Sequence, residues 1–229
     1  MISYPSTFEM PTTDPLTGLL SPAYFRHLLR EDLIRQAQEA GDPLSVFLMD
    51  TDSFHELNVS HGRQAGDAIL LGVSRILRET LPESAVIVRY GGDEFGGALP
   101  DTRLDDAFTL VEELRRRIGA MRLDEWPDLA ITCSIGLAVY PANGATDIEL
   151  VREADQALYL AKATGRNKVS LPLADDRMIT KTSYYTRTQL ERLAALAKTL
   201  GRNEASLLRE ALDDLLKKYN DQLGAPPRE

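Results

Sequence analysis

The chain has 229 residues, 43% apolar and 27% charged, which is the make-up of a globular protein with room for one or two domains. No apolar run approaches the roughly 20 residues needed to cross a bilayer, and the start, MISYPSTFEMPTTDP, lacks the basic and apolar regions of a secretion signal. Cys133 is the only cysteine, so an internal disulfide is excluded and a reducing, cytoplasmic setting is expected. The three histidines, His27, His55 and His61, do not form a cluster with metal-binding spacing.

The net charge of −9 is unevenly spread. Residues 1–176 carry 16 Lys/Arg against 28 Asp/Glu, whereas residues 177–220 carry 9 against 5. That asymmetry predicts two domains with different partners.

In chain order, residues 21–41 predict a helix, with Ser21 as its cap, Pro22 at its first position and Gly41 at its end. PLSVFLMD (43–50) predicts a buried strand ending at an acid. Residues 67–81 predict an amphipathic helix. AVIVRY (85–90) and FGGALP (95–100) flank two glycines and predict a hairpin. A helix over 104–121, a strand over 129–141, a helix over 146–165 and a last strand over 167–171 follow. The order predicts an α+β sheet domain with helices packed on it. LPLADDRM (171–178) reads as a linker, giving a first domain over 1–172 and a linker over 173–178. A strand over 179–186 and two helices separated by LGRNE (200–204) form a second domain over 179–220, followed by a tail over 221–229.

Gly91 and Gly92 permit a turn with positive φ and close approach of backbone to a ligand, and they present Asp93 and Glu94 at a hairpin tip. Asp50 and Asp52 lie at another strand end. Four converging carboxylates would repel unless a hard dication such as Mg²⁺ joined them. Two such ions are a standard device for transfer at phosphorus. The alternative is a solvated hairpin tip beside an unrelated strand-end acid.

The surrounding motifs favour the first reading. DPLTGL (14–19), DTDSFHELNVSHGRQAGD (50–67), RYGGDEF (89–95), SIGLAVYP (134–141) and ADQALYLAKATGRNKV (154–169) stand in the order found in the GGDEF domain of diguanylate cyclases, and residues 12–172 resemble that family. The resemblance implies a cyclase fold related to polymerase palms, and condensation of two GTP into cyclic di-GMP with release of two pyrophosphates. It implies two Mg²⁺ or Mn²⁺ ions per site, with Asp50, the carbonyl of Thr51, Asp93 and Glu94 as metal residues. It also implies Glu94 near the ribose 3′-hydroxyl. Asn58 and Asp67 are then expected on the guanine edge, Phe54 and His55 beside the substrate, Lys162 and Arg166 on phosphate, and Gly91 and Gly92 where the backbone meets nucleotide. A carboxylate at Asp67 accepts from guanine N1–H and N2–H, a donor pair that adenine lacks.

This chain departs from the family pattern in places. His55 stands where a lysine is usual, Val59 where an aspartate is, Arg63 where a histidine is, and Ser21–Pro22 replaces Asn-Arg. The window that carries an Arg-x-x-Asp product-inhibition motif in many relatives reads PESA (82–85), so no feedback inhibition through that site is expected.

Residues 179–219 resemble a ribbon-helix-helix domain. About 40 residues cannot bury Leu190, Leu193, Leu196, Leu207, Leu208 and Leu212 alone, so an intertwined homodimer is expected. The resemblance implies a ribbon reading double-stranded DNA through Lys181, Ser183 and Tyr185, with Arg187, Arg202 and the helix cap Asn203 near phosphate. Dimerisation without DNA is the alternative. A regulator whose GGDEF domain only senses GTP or cyclic di-GMP competes with the enzyme, and a scaffold using neither site is a third reading.

Overall fold

A computed structural model describes residues 12–172, 185–200 and 202–218 of the chain. It divides into two compact units, Met1–Leu173 and Ala174–Glu229.

In the first unit, α1 (Pro22–Leu28) continues through a π turn (Leu29–Leu33) into α2 (Ile34–Ala40). Then come β1 (Leu44–Thr51), α3 (Phe54–His61), α4 (Arg63–Thr80), β2 (Val86–Gly91), β3 (Glu94–Pro100), α5 (Leu104–Ala120), β4 (Cys133–Tyr140), α6 (Asp147–Ala163) and β5 (Val169–Ser170). The five strands are ordered β2-β3-β1-β4-β5, with β1 central and antiparallel to both β3 and β4, and β5 parallel to β4. Among the described residues, no helix is long and apolar enough to cross a membrane.

β1 is buried on both faces, which explains its nearly unbroken apolar run. Its alternation decides where chemistry can occur. Phe47 and Met49 enter a core with Ile69, Val73 and Leu77 of α4 and Val111, Leu114 and Ile118 of α5. Leu44 and Val46 face the opposite side with Phe25, Leu29 and Ile34, and Leu48 packs there against Ala154 and Leu158 of α6. Each large apolar side chain buried this way contributes roughly 1.5–3 kcal/mol. Asp50 continues the Leu44–Val46–Leu48 row, so its carboxylate emerges on the α6 side.

α6 is fixed at both ends of its packing. Thr146 and Glu149 form a reciprocal capping box at its start. On its inner face it rides directly on Gly136 of β4. A Cβ there would lie 2.0 Å from the carbonyl oxygen of Ala154 and 2.3 Å from the amide of Leu158.

Two sequence expectations differ from the structure. The helix expected over 67–81 begins at Arg63, and α3 precedes it unannounced. HELNVSH has little apolar periodicity and buries none of its residues, so no core stripe betrays it. Residues 129–132, expected at the start of a strand, lie before β4, although Leu129 and Ile131 are buried.

In the second unit, α7 (Arg187–Leu200) and α8 (Glu204–Lys218) form the helical pair. Thr186 caps α7, its hydroxyl accepting from the amide of Gln189. The carbonyl of Asn203 accepts the first bond of α8, placing it at the helix cap. The expected strand over 179–186 falls mostly outside the described residues, and with it Lys181 and Ser183.

Candidate active site

The hairpin turn is made at Gly91 and Gly92, with φ of 148° and 51°. Glu94 lies directly across the ladder from Asp50. The amide of Thr51 donates to the carbonyl of Asp93 at 3.2 Å, which ties the acidic turn to the end of β1. Asp50, Asp93 and Glu94 are thereby gathered at one end of the sheet, an acidic edge where β1 finishes and β3 begins.

Their charges act on one another. Burial pushes the Asp93 carboxyl up, and the neighbouring Asp50 and Glu94 carboxylates push the same way, offset in part by Lys162. From the last turn of α6, Lys162 Nζ reaches Asp50 Oδ2 at 2.8 Å. Arg166 follows that helix in left-handed backbone (φ 60°), with its amide on the carbonyl of Ala161 and its side chain exposed.

Asp52 does not join this group. It is buried on the far side of the turn, where its carboxylate accepts from Ser134 Oγ at 2.7 Å, Thr132 Oγ1 at 2.8 Å and the amide of Asn167 at 3.1 Å. The expected cluster of four acids is therefore one of three. The fourth acid pins the β1–α3 turn, because a buried carboxylate must be hydrogen-bonded. Thr51 is fully buried, and its hydroxyl has no hydrogen-bond partner among the described residues.

Beyond the β1–α3 turn lies a cleft of about 400 Å³ between α3 and α4. Phe54, His55, Asn58, Val59, Arg63 and Asp67 line it. Gly66 allows the two helices to close, since a Cβ there would sit 1.9 Å from Asn58 Oδ1. Asn58 of α3 is held against the backbone one residue before Asp67 of α4, so an amide and a carboxylate meet in one cleft.

Arg89 organises the hairpin from behind. Its guanidinium donates to Asp14 Oδ1 at 3.0 Å and, through Nε and Nη2, to the carbonyl of Gly92 at 3.1 and 2.6 Å. Asp14 Oδ1 also accepts from the amide and hydroxyl of Thr17. Burial raises the Asp14 carboxyl, but these donors outweigh it and hold the group below its ordinary value. The link joins DPLTGL to RYGGDEF across the chain. The signal was present as an acid and an arginine in two motifs 75 residues apart.

Among the described residues, no three His, Cys, Asp or Glu side chains stand close enough to hold a metal by themselves. The donor set is two carboxylates, Asp50 and Asp93, with Glu94 adjacent. Mg²⁺ is commonly held by one or two carboxylates with substrate phosphates completing its shell, so this set fits a hard dication bound together with a triphosphate. The mutual repulsion at Asp93 and the lysine drawn onto Asp50 show that the edge calls for positive charge.

In the second unit, Arg187 pairs with Glu191 at 3.8 Å and Arg202 pairs with Glu210. Tyr185, Leu190, Leu196, Leu200, Leu212 and Leu215 are each between 44% and 54% exposed, whereas Ala197 and Leu207 are buried.

Residues 11–168 match the family model described as diguanylate cyclase, GGDEF domain, and residues 180–220 match that of a ribbon-helix-helix domain. The diguanylate cyclase DosC of Escherichia coli is 37% identical over 161 residues, covering 69% of this chain and 34% of the relative. The response regulator PleD of Caulobacter vibrioides is 34% identical over 166 residues, covering 71% and 36%. The chain thus spans about a third of the length of these curated relatives. Among solved structures, the GGDEF domain of DgcB from Caulobacter crescentus, in complex with c-di-GMP, superimposes with a TM-score of 0.65 at 28% identity, covering 72% of this chain and 97% of that one. A GGDEF domain from Pseudomonas aeruginosa gives 0.66 at 32% identity, covering 69% and 99%. With its acidic edge, its α3–α4 cleft and a family match over most of its length, the chain belongs to the GGDEF-domain family of diguanylate cyclases and carries a C-terminal ribbon-helix-helix segment.

Proposed function

We propose that the protein condenses two GTP molecules into cyclic di-GMP, and that its C-terminal module pairs two copies so that two active sites meet. The observation that carries this reading is the edge where Asp50, Asp93, Glu94 and Lys162 converge, beside the cleft of Asn58 and Asp67. In each half-reaction a ribose 3′-oxygen attacks the α-phosphorus of the facing nucleotide. A new P–O bond forms, the bond to the β-phosphate oxygen breaks, and pyrophosphate leaves.

Asp67 and Asn58 orient guanine, the carboxylate accepting its N1–H and N2–H. Phe54 and His55 border the base and the path to the phosphates. Glu94, exposed at the edge, takes the proton of the 3′-hydroxyl. Lys162 and Arg166 bind triphosphate oxygens, and Gly91 and Gly92 leave the backbone open to nucleotide. Asp50, Asp93 and the carbonyl of Thr51 would hold Mg²⁺ or Mn²⁺, two ions per site, which neutralise charge on the departing pyrophosphate. In PESA (82–85), no arginine or aspartate is available to bind product, so turnover continues without feedback at that site.

Each site holds one nucleotide, so the reaction needs two facing domains. The half-exposed leucines of α7 and α8 are an apolar surface that a second copy would cover. The net charge of residues 177–220, 9 basic against 5 acidic, supports duplex DNA as a further partner. Lys181, Ser183 and Tyr185 would read bases, while Arg187, Arg202 and Asn203 would touch phosphate. An electrophoretic shift with random duplex DNA, lost on changing Lys181 and Arg187 to Ala, tests that part. A cytoplasmic setting, where GTP is supplied, belongs to the same proposal.

A second reading rests on His55, which lines the cleft where the family places a lysine. In it the domain binds GTP or cyclic di-GMP without turnover and reports to the DNA-binding module. Product formation from GTP separates the two.

A further inference from the structure

The chain leaves α6 through three consecutive residues with positive φ: Gly165 at 113°, Arg166 at 60° and Asn167 at 46°. Glycine adopts such backbone freely and asparagine tolerates it, but arginine does so only where its surroundings enforce it. Arg166 sits in the middle of this turn, four residues past Lys162, which reaches the acidic edge at Asp50. The direction of the Arg166 side chain therefore depends on whatever holds the turn.

Three hydrogen bonds hold it. The amide of Arg166 donates to the carbonyl of Ala161 at 2.9 Å, which ties the turn back to α6. The amide of Asn167 donates to Asp52 Oδ2 at 3.1 Å, which ties it to the end of β1. The third comes from α5, where Arg115 Nη1 donates to Asn167 Oδ1 at 2.8 Å. Arg115 is itself oriented by Glu112, one helical turn back. Glu112 Oε2 accepts from its Nε at 3.1 Å and its Nη2 at 2.8 Å. That fork leaves Nη1 to reach across to Asn167. Arg115 does not line the α3–α4 cleft, and its acidic partner is Glu112 rather than an acid of the edge.

We propose that Arg115 is a positioning residue for the triphosphate: through Asn167 it fixes the left-handed turn that presents Arg166. The proposal rests on the phosphate role given to Arg166 above, but not on turnover. Without the Arg115 tether, Arg166 has to be ordered at the moment of binding, and affinity for the phosphates falls. The cleft of Asn58 and Asp67 is left as it is.

The test is a calorimetric titration of the full chain, with Mg²⁺, using guanosine 5′-(α,β-methylene)triphosphate. Its carbon bridge prevents release of pyrophosphate, so binding is read without turnover. Arg115→Ala is expected to raise Kd about tenfold, the loss of one charge-assisted hydrogen bond. Asn167→Gly, which suits left-handed backbone but offers Arg115 no acceptor, is expected to do the same. The double variant is expected to bind no more weakly than either alone, because both changes break one bond. In an Arg166→Ala background, Arg115→Ala is expected to cost nothing further, whereas general damage to the domain would still weaken binding there. Unchanged affinity in Arg115→Ala, an undiminished loss in the Arg166→Ala background, or a wild type that does not bind the analogue overturns the proposal. Binding by the wild type that follows the expected pattern, with no cyclic di-GMP made from GTP, overturns the cyclase reading alone and upholds the tether.

Discussion

Lys162 Nζ lies 2.8 Å from Asp50 Oδ2, joining the last turn of α6 to the penultimate residue of β1. The contact follows from two alternations. β1 sends Asp50 to the α6 face, and Gly136 lets α6 sit close enough for a lysine to reach it. The ammonium thus supplies positive charge beside the acids. With nucleotide bound, it is free to turn to the triphosphate. Lys162→Ala is therefore expected to lower kcat/KM for GTP by roughly 10²–10³-fold, the usual loss for one charge-stabilising donor. Steady-state kinetics with saturating Mg²⁺ checks it, and an unchanged value would remove Lys162 from the site.

Asp93 is held where its charge is unwelcome. Burial, Asp50 and Glu94 all raise its pKa. A carboxyl raised in the folded state favours folding at low pH and opposes it once it ionises. Asp93→Asn removes that opposition. Without metal at neutral pH, the variant is expected to melt about 2–4 °C higher, the shift for roughly 1 kcal/mol in a chain of this size. It should also make no product. Calorimetric melting in EDTA measures the first effect, and a lower melting temperature would contradict the repulsion described here.

The Asp14–Arg89–Gly92 link carries the opposite pH signature. The Asp14 carboxyl lies below its ordinary 3.8, so its contribution is fully present above pH 4 and is lost as pH falls further. Asp14→Ala is expected to cost about 1–3 kcal/mol at pH 7, the range for a charged hydrogen bond. The gap from wild type should shrink below pH 4. Urea unfolding at pH 7 and pH 3 measures both, and a gap independent of pH would assign the cost to packing alone.

Much of this was legible in the sequence, for definite reasons. β1 and the hairpin announced themselves through apolar runs ending at acids and glycines. Asn58 and Asp67 are expected together from the resemblance, and both line the α3–α4 cleft. A role that depends on partners far along the chain is not visible in the sequence. Asp52 looked equivalent to Asp50, yet strand alternation and Thr132, Ser134 and Asn167 turn it into a structural anchor. α3 leaves no apolar stripe in the sequence because its residues serve a cleft rather than a core.

The second unit predicts a concentration-dependent enzyme. Leu196 is 48% exposed, so Leu196→Asp is tolerable to a single copy but not to an apolar interface. The variant is expected to sediment as a monomer at micromolar concentration and to lose at least about tenfold in specific activity there, with recovery as concentration rises. A variant that stays dimeric would place the contact between copies elsewhere.

The central claim is tested most directly by incubating the pure chain with GTP and Mg²⁺ and separating the nucleotides by chromatography. The account predicts cyclic di-GMP and pyrophosphate from the wild type and neither from Glu94→Ala. Intact GTP in both, with nucleotide still bound to the wild type, would contradict it and leave a receptor in place of an enzyme.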